Sequence, residues 1–184
     1  TNGDQFLNND ISRDNASSNN ANTALWMSHA YYTYGTNRAT KIEGNSFHDL
    51  PFKGASAGST GVVYGFYGFY NYGTSSNYFS FSNNQFYNIV CGTTNYTTYM
   101  WYNYWVNMSG NTVRNWRSLG TGAHYGYYTY YTYNDFIFNN NIYRDNFTKS
   151  LTYMSYHYFP AVITAKGNKF INNTTADGVT STSY

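Results

Sequence analysis

Few residues in this chain are of types suited to chemistry, and their spacing brings few of them together. There are eight acids, and Glu43 is the one glutamate. Hydrolysis of a glycosidic bond takes two carboxylates facing one linkage. Here Asp4, Asp49 and Asp145 recur singly, far apart in the chain. The histidines His29, His48, His124 and His157 show no metal-binding spacing. His48 and Asp49 are neighbours, so in a regular strand their side chains leave on opposite faces. The single cysteine, Cys91, follows Ile89 and Val90 and has no Lys, Arg or His beside it to lower its pKa. It reads as a small buried residue, and one cysteine allows no internal disulfide. Nucleophile-elbow and phosphate-loop motifs are absent from the sequence.

The acids belong to a larger pattern, a six-residue phrase that occurs six times. It runs Gly/Asn, Asn/Asp, any, large apolar, any, Asn/Asp. The copies begin at Gly3, Gly44, Asn83, Gly110, Asn140 and Gly167, and their apolar anchors are Phe6, Phe47, Phe86, Val113, Tyr143 and Phe170. The anchors are 41, 39, 27, 30 and 27 residues apart. Spacing in that range indicates stacked units.

Five and seven residues before each later anchor lie Ile42 and Thr40, Phe81 and Phe79, Met108 and Val106, Phe138 and Phe136, Ala165 and Ile163. Period-two spacing puts each pair on one face of a strand. The Gly/Asn-Asn step that follows tolerates positive φ and predicts a corner. A third segment type is rich in Tyr: 24–34, 61–72, 97–105, 124–133 and 151–159. Aromatic residues at that density favour strands, and helix signals are poor. The expectation is therefore an all-β fold, one parallel β-helix over residues 1–184 with about five to six coils, asparagine ladders at its corners and aromatic-rich strands. The polar stretch 8–22 and the Gly/Ser/Ala-rich stretch 53–61 are expected to be loops.

The arrangement resembles the right-handed parallel β-helix of the pectate-lyase-like class, over roughly residues 3 to 175. Phe6-Leu7-Asn8-Asn9 and Phe170-Ile171-Asn172-Asn173 also look like the F-x-x-N repeat of chlamydial polymorphic outer membrane proteins. The enzyme class resembled implies calcium-holding acids and a basic proton acceptor. Arg114 and Arg144 share a repeat position near Asp145 and are the best match, though a solvated surface pair is the simpler expectation. The resemblance to the lyases makes a polysaccharide lyase or hydrolase the third of three functional expectations.

Stacking aligns Asp4, Asn45, Asn84, Asn111, Asn141 and Asn168 in one column, and Asn8, Asp49, Asn88, Asn115, Asp145 and Asn172 in another. An amide both donates and accepts, so such columns can bond to themselves along the stack. An ionised acid only accepts, so Asp49 and Asp145 are the places where a column breaks. One acid per coil is a poor calcium set, and neither metal nor cofactor is expected. Tyr127, Tyr128, Tyr130 and Tyr131 fall on both strand parities, so some rings point outward. With Trp101 and Trp105 they are the candidate surface for glycan or for assembly.

Composition narrows the partners. Only 10% of residues are charged and the net charge is +2, with no basic stripe, so nucleic acid is not expected. Solubility falls to neutral polar groups, 27 of them Asn. Six glycosylation sequons are about what chance provides in so Asn-, Ser- and Thr-rich a chain. No apolar run approaches the ~20 residues of a membrane helix. Neither terminal coil shows a capping helix or charged cover, so both are expected to be uncapped. The leading expectation is an extracellular or cell-surface structural protein, self-associating end to end into filaments or forming part of a stalk. A carbohydrate-binding adhesin module is the second.

Overall fold

The computed structural model describes residues 3–12, 25–34, 39–51, 62–92, 94–176 and 181–182. Among them every regular element is a strand, and every strand pairing is parallel. The first turn contributes β1 (Gln5–Leu7) and β2 (Asp10–Ser12). The second has β3 (Leu25–Tyr34), β4 (Lys41–Glu43) and β5 (Ser46–Pro51). Then come β6 (Val63–Tyr72), β7 (Phe79–Ser82) and β8 (Gln85–Cys91), followed by β9 (Asn95–Tyr104), β10 (Val106–Asn107) and β11 (Thr112–Ser118). The next turn is β12 (His124–Asn139), β13 (Ile142–Arg144) and β14 (Phe147–Thr148). The last is β15 (Thr152–Lys166), β16 (Lys169–Ile171) and β17 (Thr174–Thr175), after which β18 (Ser181–Thr182) begins a further rung.

These strands form the three faces of a parallel β-helix. The Tyr-rich face stacks β3, β6, β9 and the first halves of β12 and β15. The second face stacks β1, β4, β7, β10 and the second halves of β12 and β15. The third stacks β2, β5, β8, β11, then β13 and β16. The solenoid has about four turns, slightly fewer than the five to six coils expected.

The phrase is corner, strand, corner. Its first position has left-handed φ in every turn: Asn8 +54°, Gly44 +69°, Asn83 +56°, Gly110 +70°, Asn140 +55° and Gly167 +65°. Its sixth position does too: Asp49, Asn88, Asn115, Asp145 and Asn172 all lie between +50° and +56°. Asn and Gly are the residues that enter this region most cheaply.

The first phrase is corrected by five residues. Phe6 pairs with Ile42 on the second face, while Ile11 pairs with Phe47 on the third. The corner is thus Asn8-Asn9, and Ile11 is the anchor. Gly3–Asn8 imitated the phrase because both faces alternate apolar residues at the same period. The 8–22 stretch also holds the Asn8-Asn9 corner and strand β2 where a loop was expected; residues 13–22, and 53–61, lie outside the described residues.

The core is the column of anchors with the inward residues of the other two faces. Phe47, Phe86, Val113 and Tyr143 are buried, with Phe47 and Phe86 stacked at 4.7 Å. Phe79, Phe81, Val106, Met108, Phe136 and Phe138 are buried as the period-two spacing predicts. Phe170 is 40% exposed because no described rung covers it.

Candidate functional site

Three arrangements are candidates for function: the asparagine columns, the aromatic face and the uncovered last turn. The inner column runs Asn9, Asn45, Asn84, Asn111, Asn141, Asn168. Each residue donates its backbone N–H and its Nδ2 to the Oδ1 of the next, at 2.8 to 3.1 Å. The second Nδ2 hydrogen reaches a carbonyl on the second face, as from Asn84 to Ile42 and from Asn111 to Phe81. Interior members therefore satisfy both donors and accept twice while fully buried. Asp4 does not belong to this column; Asn9 takes its place.

The outer column is solvent-exposed and broken. Asn88 donates to Asp49 at 2.9 Å and Asn115 to Asn88 at 2.8 Å. Asn172 donates to Asp145 at 3.3 Å, but Asp145 has no hydrogen to offer Asn115, and the column stops there. Asn8, placed here from the sequence, sits instead at the first corner, in line with Gly44. An unforeseen inner pair, Asn146 and Asn173, bonds in the same manner at 2.9 Å. Its signal was the Asp/Asn-Asn step one residue past the phrase.

Asp49 also meets His48. Its left-handed φ of +50° breaks strand alternation, so His48 Nδ1 lies 2.7 Å from Asp49 Oδ2 rather than on the opposite face. His48 Nε2 bonds Asp10 of the preceding rung. Burial pulls the His48 pKa down, but bonds to Asp49 and Asp10 outweigh it and hold the imidazole above its ordinary value. The bond from Asn88, then that from His48, holds the Asp49 carboxyl below the usual range.

The aromatic face is built from outward columns on the first sheet. Tyr64, Tyr96, Tyr125 and Tyr153 stack at 4.7 to 5.2 Å. Tyr67, Tyr99, Tyr128 and Tyr156 stack at 5.0 to 5.3 Å. Phe69, Trp101, Tyr130 and Tyr158 form a third column, and Tyr72, Tyr104 and Tyr133 a fourth. The fifth, Tyr70, Tyr102, Tyr131 and Phe159, has φ between +51° and +56°. Aromatic residues rarely adopt that conformation, which costs about 1–2 kcal/mol each. It breaks alternation, so Trp101 and Tyr102, or Tyr130 and Tyr131, both face outward. Tyr64 and Tyr67 lie 87° apart although each column is parallel within itself. Tilting rings by about 45° brings planes on a ~4.8 Å strand spacing to about 3.4 Å, within contact.

Interior rings thus have both faces covered, and their edges and hydroxyls turn outward. Burial, then neighbouring phenols, raises the pKa of Tyr96, Tyr99 and Tyr128. Of the predicted surface residues, Trp101, Tyr128, Tyr130 and Tyr131 lie on it. Tyr127 does not: it is buried and donates to the Asn111 carbonyl at 3.2 Å. Trp105 lies outside the five columns, half-buried at the corner after β9 with φ of +44°.

Two polar clusters sit inside the coil, the first buried and the second built round the half-buried His157. Trp116 Nε1 donates to Asn95 Oδ1 at 2.9 Å and approaches Cys91 Sγ at 3.1 Å. His124 bridges Asn95 and the Tyr143 hydroxyl. Burial pushes the Cys91 thiol up to about 12 and His124 down to about 3, so neither is reactive near neutrality. In the second cluster His157 Nε2 lies 2.7 Å from Ser155 Oγ, and its Nδ1 lies 2.7 Å from Thr129 Oγ1. That is the spacing of a nucleophile and its base. However, burial pushes His157 down to about 4, and Nδ1 faces a hydroxyl where a carboxylate would be needed to strengthen the base. This cluster borders a cavity of about 400 Å³ in the uncovered last turn, with Phe138, Ile163, Ala165, Asn168 and Phe170.

Arg114 and Arg144 share a column, as expected from their repeat positions. Arg114 lies over the Tyr87 ring at 4.2 Å, and Arg144 approaches Asp145 at 3.6 Å. No cluster of three metal-binding side chains occurs among the described residues, and no described helix is long and apolar enough to cross a membrane. No family model, curated protein or solved structure matches the chain.

Proposed function

We propose that this β-helix is a structural module, extracellular or at the cell surface, that joins end to end into filaments or forms part of a stalk. The observation that carries it is the inner asparagine column, in which Asn45, Asn84, Asn111 and Asn141 are buried and bonded from rung to rung with one repeating geometry. A solenoid of this kind extends by adding rungs, within one chain as a stalk or by a heterologous contact that does not close and so gives a fibre. The kinship with pectate-lyase-like solenoids or chlamydial repeats, and with them the extracellular placement, belongs to the same proposal. Electron microscopy of the purified chain tests it. Fibres with an axial repeat of about 25–30 Å, six rungs at ~4.8 Å, are expected. Discrete short particles at all concentrations would overturn assembly into filaments and leave the stalk.

The carbohydrate-binding alternative is favoured by Tyr133, Tyr158 and Phe159, which are 46%, 37% and 58% exposed at the margin of the aromatic face. Interior rings have no free face on which a sugar could stack, so binding would be confined to that margin. Unchanged intrinsic fluorescence on titration with polysaccharides would remove this alternative.

A further inference from the structure

Independently of how the rungs continue, we propose that the aromatic face is a lateral docking surface for a second copy of this chain, the two solenoids pairing face to face through their columns of stacked rings.

The face is large enough. Its described rings stand on four rungs, β6, β9, β12 and β15, at ~4.8 Å spacing. Ten residues of parallel strand, the length of β6 and β9, run about 33 Å. The ringed footprint is therefore about 600 Å², and the paired strand β3 extends the sheet to about 800 Å². A stable pair buries about 600–1,000 Å² of each partner. Monomers rarely leave a contiguous apolar patch of more than a few hundred Å² bare.

Charge separates this face from the other two. Its five columns hold Tyr, Phe and Trp and no charged side chain. Lys41 and Glu43 lie at outward positions of the second face, and Asp49, Arg114, Arg117 and Arg144 at outward positions of the third. A two-fold contact sets the residues near its axis against their own kind. On the third face that would oppose like charges, whereas on the aromatic face it opposes none. The hydroxyl group favours the same occupant. It donates and accepts, so a row of phenols can bond to an identical row.

Order and period complete the fit. Tyr96, Tyr125 and Tyr128 are held in their columns by rings at 4.7 to 5.2 Å, so pairing freezes little further side-chain motion. Tyr96 lies 77° from Tyr99, and Tyr125 lies 85° from Tyr128, so tilted ring edges form ridges that recur at each rung. A surface seated on those ridges must share the ~4.8 Å repeat, which a second copy does through its own fold. The contact uses the same face on both copies and so closes at two.

Sedimentation equilibrium of the full chain tests the pairing. Tyr128 stands near the middle of the face, between Tyr99 and Tyr156. A dimer is expected, with a dissociation constant raised at least tenfold in Tyr128→Lys and in Tyr128→Glu. Mixing these two variants should restore pairs, because opposite charges then meet, and restoration also shows that both fold. Thr112→Lys, which adds a charge to the third face, should dimerise as the unaltered chain does. In the unaltered chain, nitration of Tyr104 and Tyr128 by tetranitromethane should slow as concentration rises through the dissociation constant. A monomer at every concentration, a dimer indifferent to both Tyr128 variants, or nitration independent of concentration would each overturn the pairing. If filaments form, their width reports it: two solenoids across in the unaltered chain and one in Tyr128→Lys. Unaltered filaments one solenoid wide would overturn the pairing and leave the filament, whereas discrete pairs without filaments would support the pairing alone.

Discussion

The side-chain oxygen of Asn83 occupies the space that a Cβ on Gly110 would need. Asn8 stands in the same relation to Gly44, and Asn140 to Gly167. The first corner therefore alternates Asn and Gly, rung by rung, because an Asn folded over its neighbour leaves room there only for glycine. Gly110→Asn should destabilise the chain by about 1–3 kcal/mol through this overlap, although Asn tolerates the φ. Adding Asn83→Gly should recover most of the loss. Urea midpoints of the two variants decide the matter.

Removing one member of the inner asparagine column should cost far more than removing one from the outer. Asn111→Ala leaves the Asn84 donors, the Asn141 oxygen and the Phe81 carbonyl each short of a bond in a buried place. A loss of about 2–4 kcal/mol is expected. Asn115→Gly keeps the left-handed corner and gives up one exposed bond to Asn88, so it should stay within about 0.5 kcal/mol. Equal losses would mean that the inner column carries no special weight.

Acid should unfold the coil from within. His124 is buried and His157 half-buried, and burial lowers their pKa values to about 3 and about 4, below the ordinary 6.5. Below pH 6.5 the unfolded chain takes up protons that the folded chain refuses. Stability should fall by about 1.4 kcal/mol per pH unit for each histidine, down to pH about 4 for His157 and about 3 for His124. His124→Thr, matching Thr152 of the next rung, should flatten the curve. His48 has the opposite sign: its raised pKa makes its contribution full below pH 6.5 and lost as pH rises through the folded value. Chemical unfolding from pH 3 to 9 separates the two.

At Tyr102 the usual order of Ala over Gly should reverse. Its φ is +51°, which Ala enters at a cost of about 1 kcal/mol and Gly enters freely. Both substitutions lose the same ring contacts with Tyr70 and Tyr131. Tyr102→Gly should therefore melt higher than Tyr102→Ala. The opposite order would show that the backbone is not held in the left-handed region.

Much of the fold was legible because a solenoid repeats itself. The period-two pairs, the Asn corners and the five Tyr-rich strands all recur, and recurrence separates signal from coincidence. The first phrase was misplaced because it had only one neighbour to be checked against. Two patterns compatible with the same alternation, Gly3-Asp4 and Asn8-Asn9, could not be told apart until strand pairing set Ile11 beside Phe47. The aromatic corner was hidden for a different reason. Composition associates positive φ with Gly and Asn, whereas Tyr70, Tyr102, Tyr131 and Phe159 hold it through packing against their own column.

By itself the order of residues determined the class of fold, the faces of the second and third sheets and the identity of most ladder members. Those depend on local preferences and on spacing, which a chain displays directly. Which tyrosines face outward was decided only in three dimensions. Tyr127 and Tyr128 are adjacent and chemically alike, yet one lies in the core and the other on the surface. The left-handed bends reset the alternation, and a bend is stable only when the rungs above and below share it. The polarity of the asparagine column was likewise a tertiary property, because an amide has no direction until its neighbours give it one.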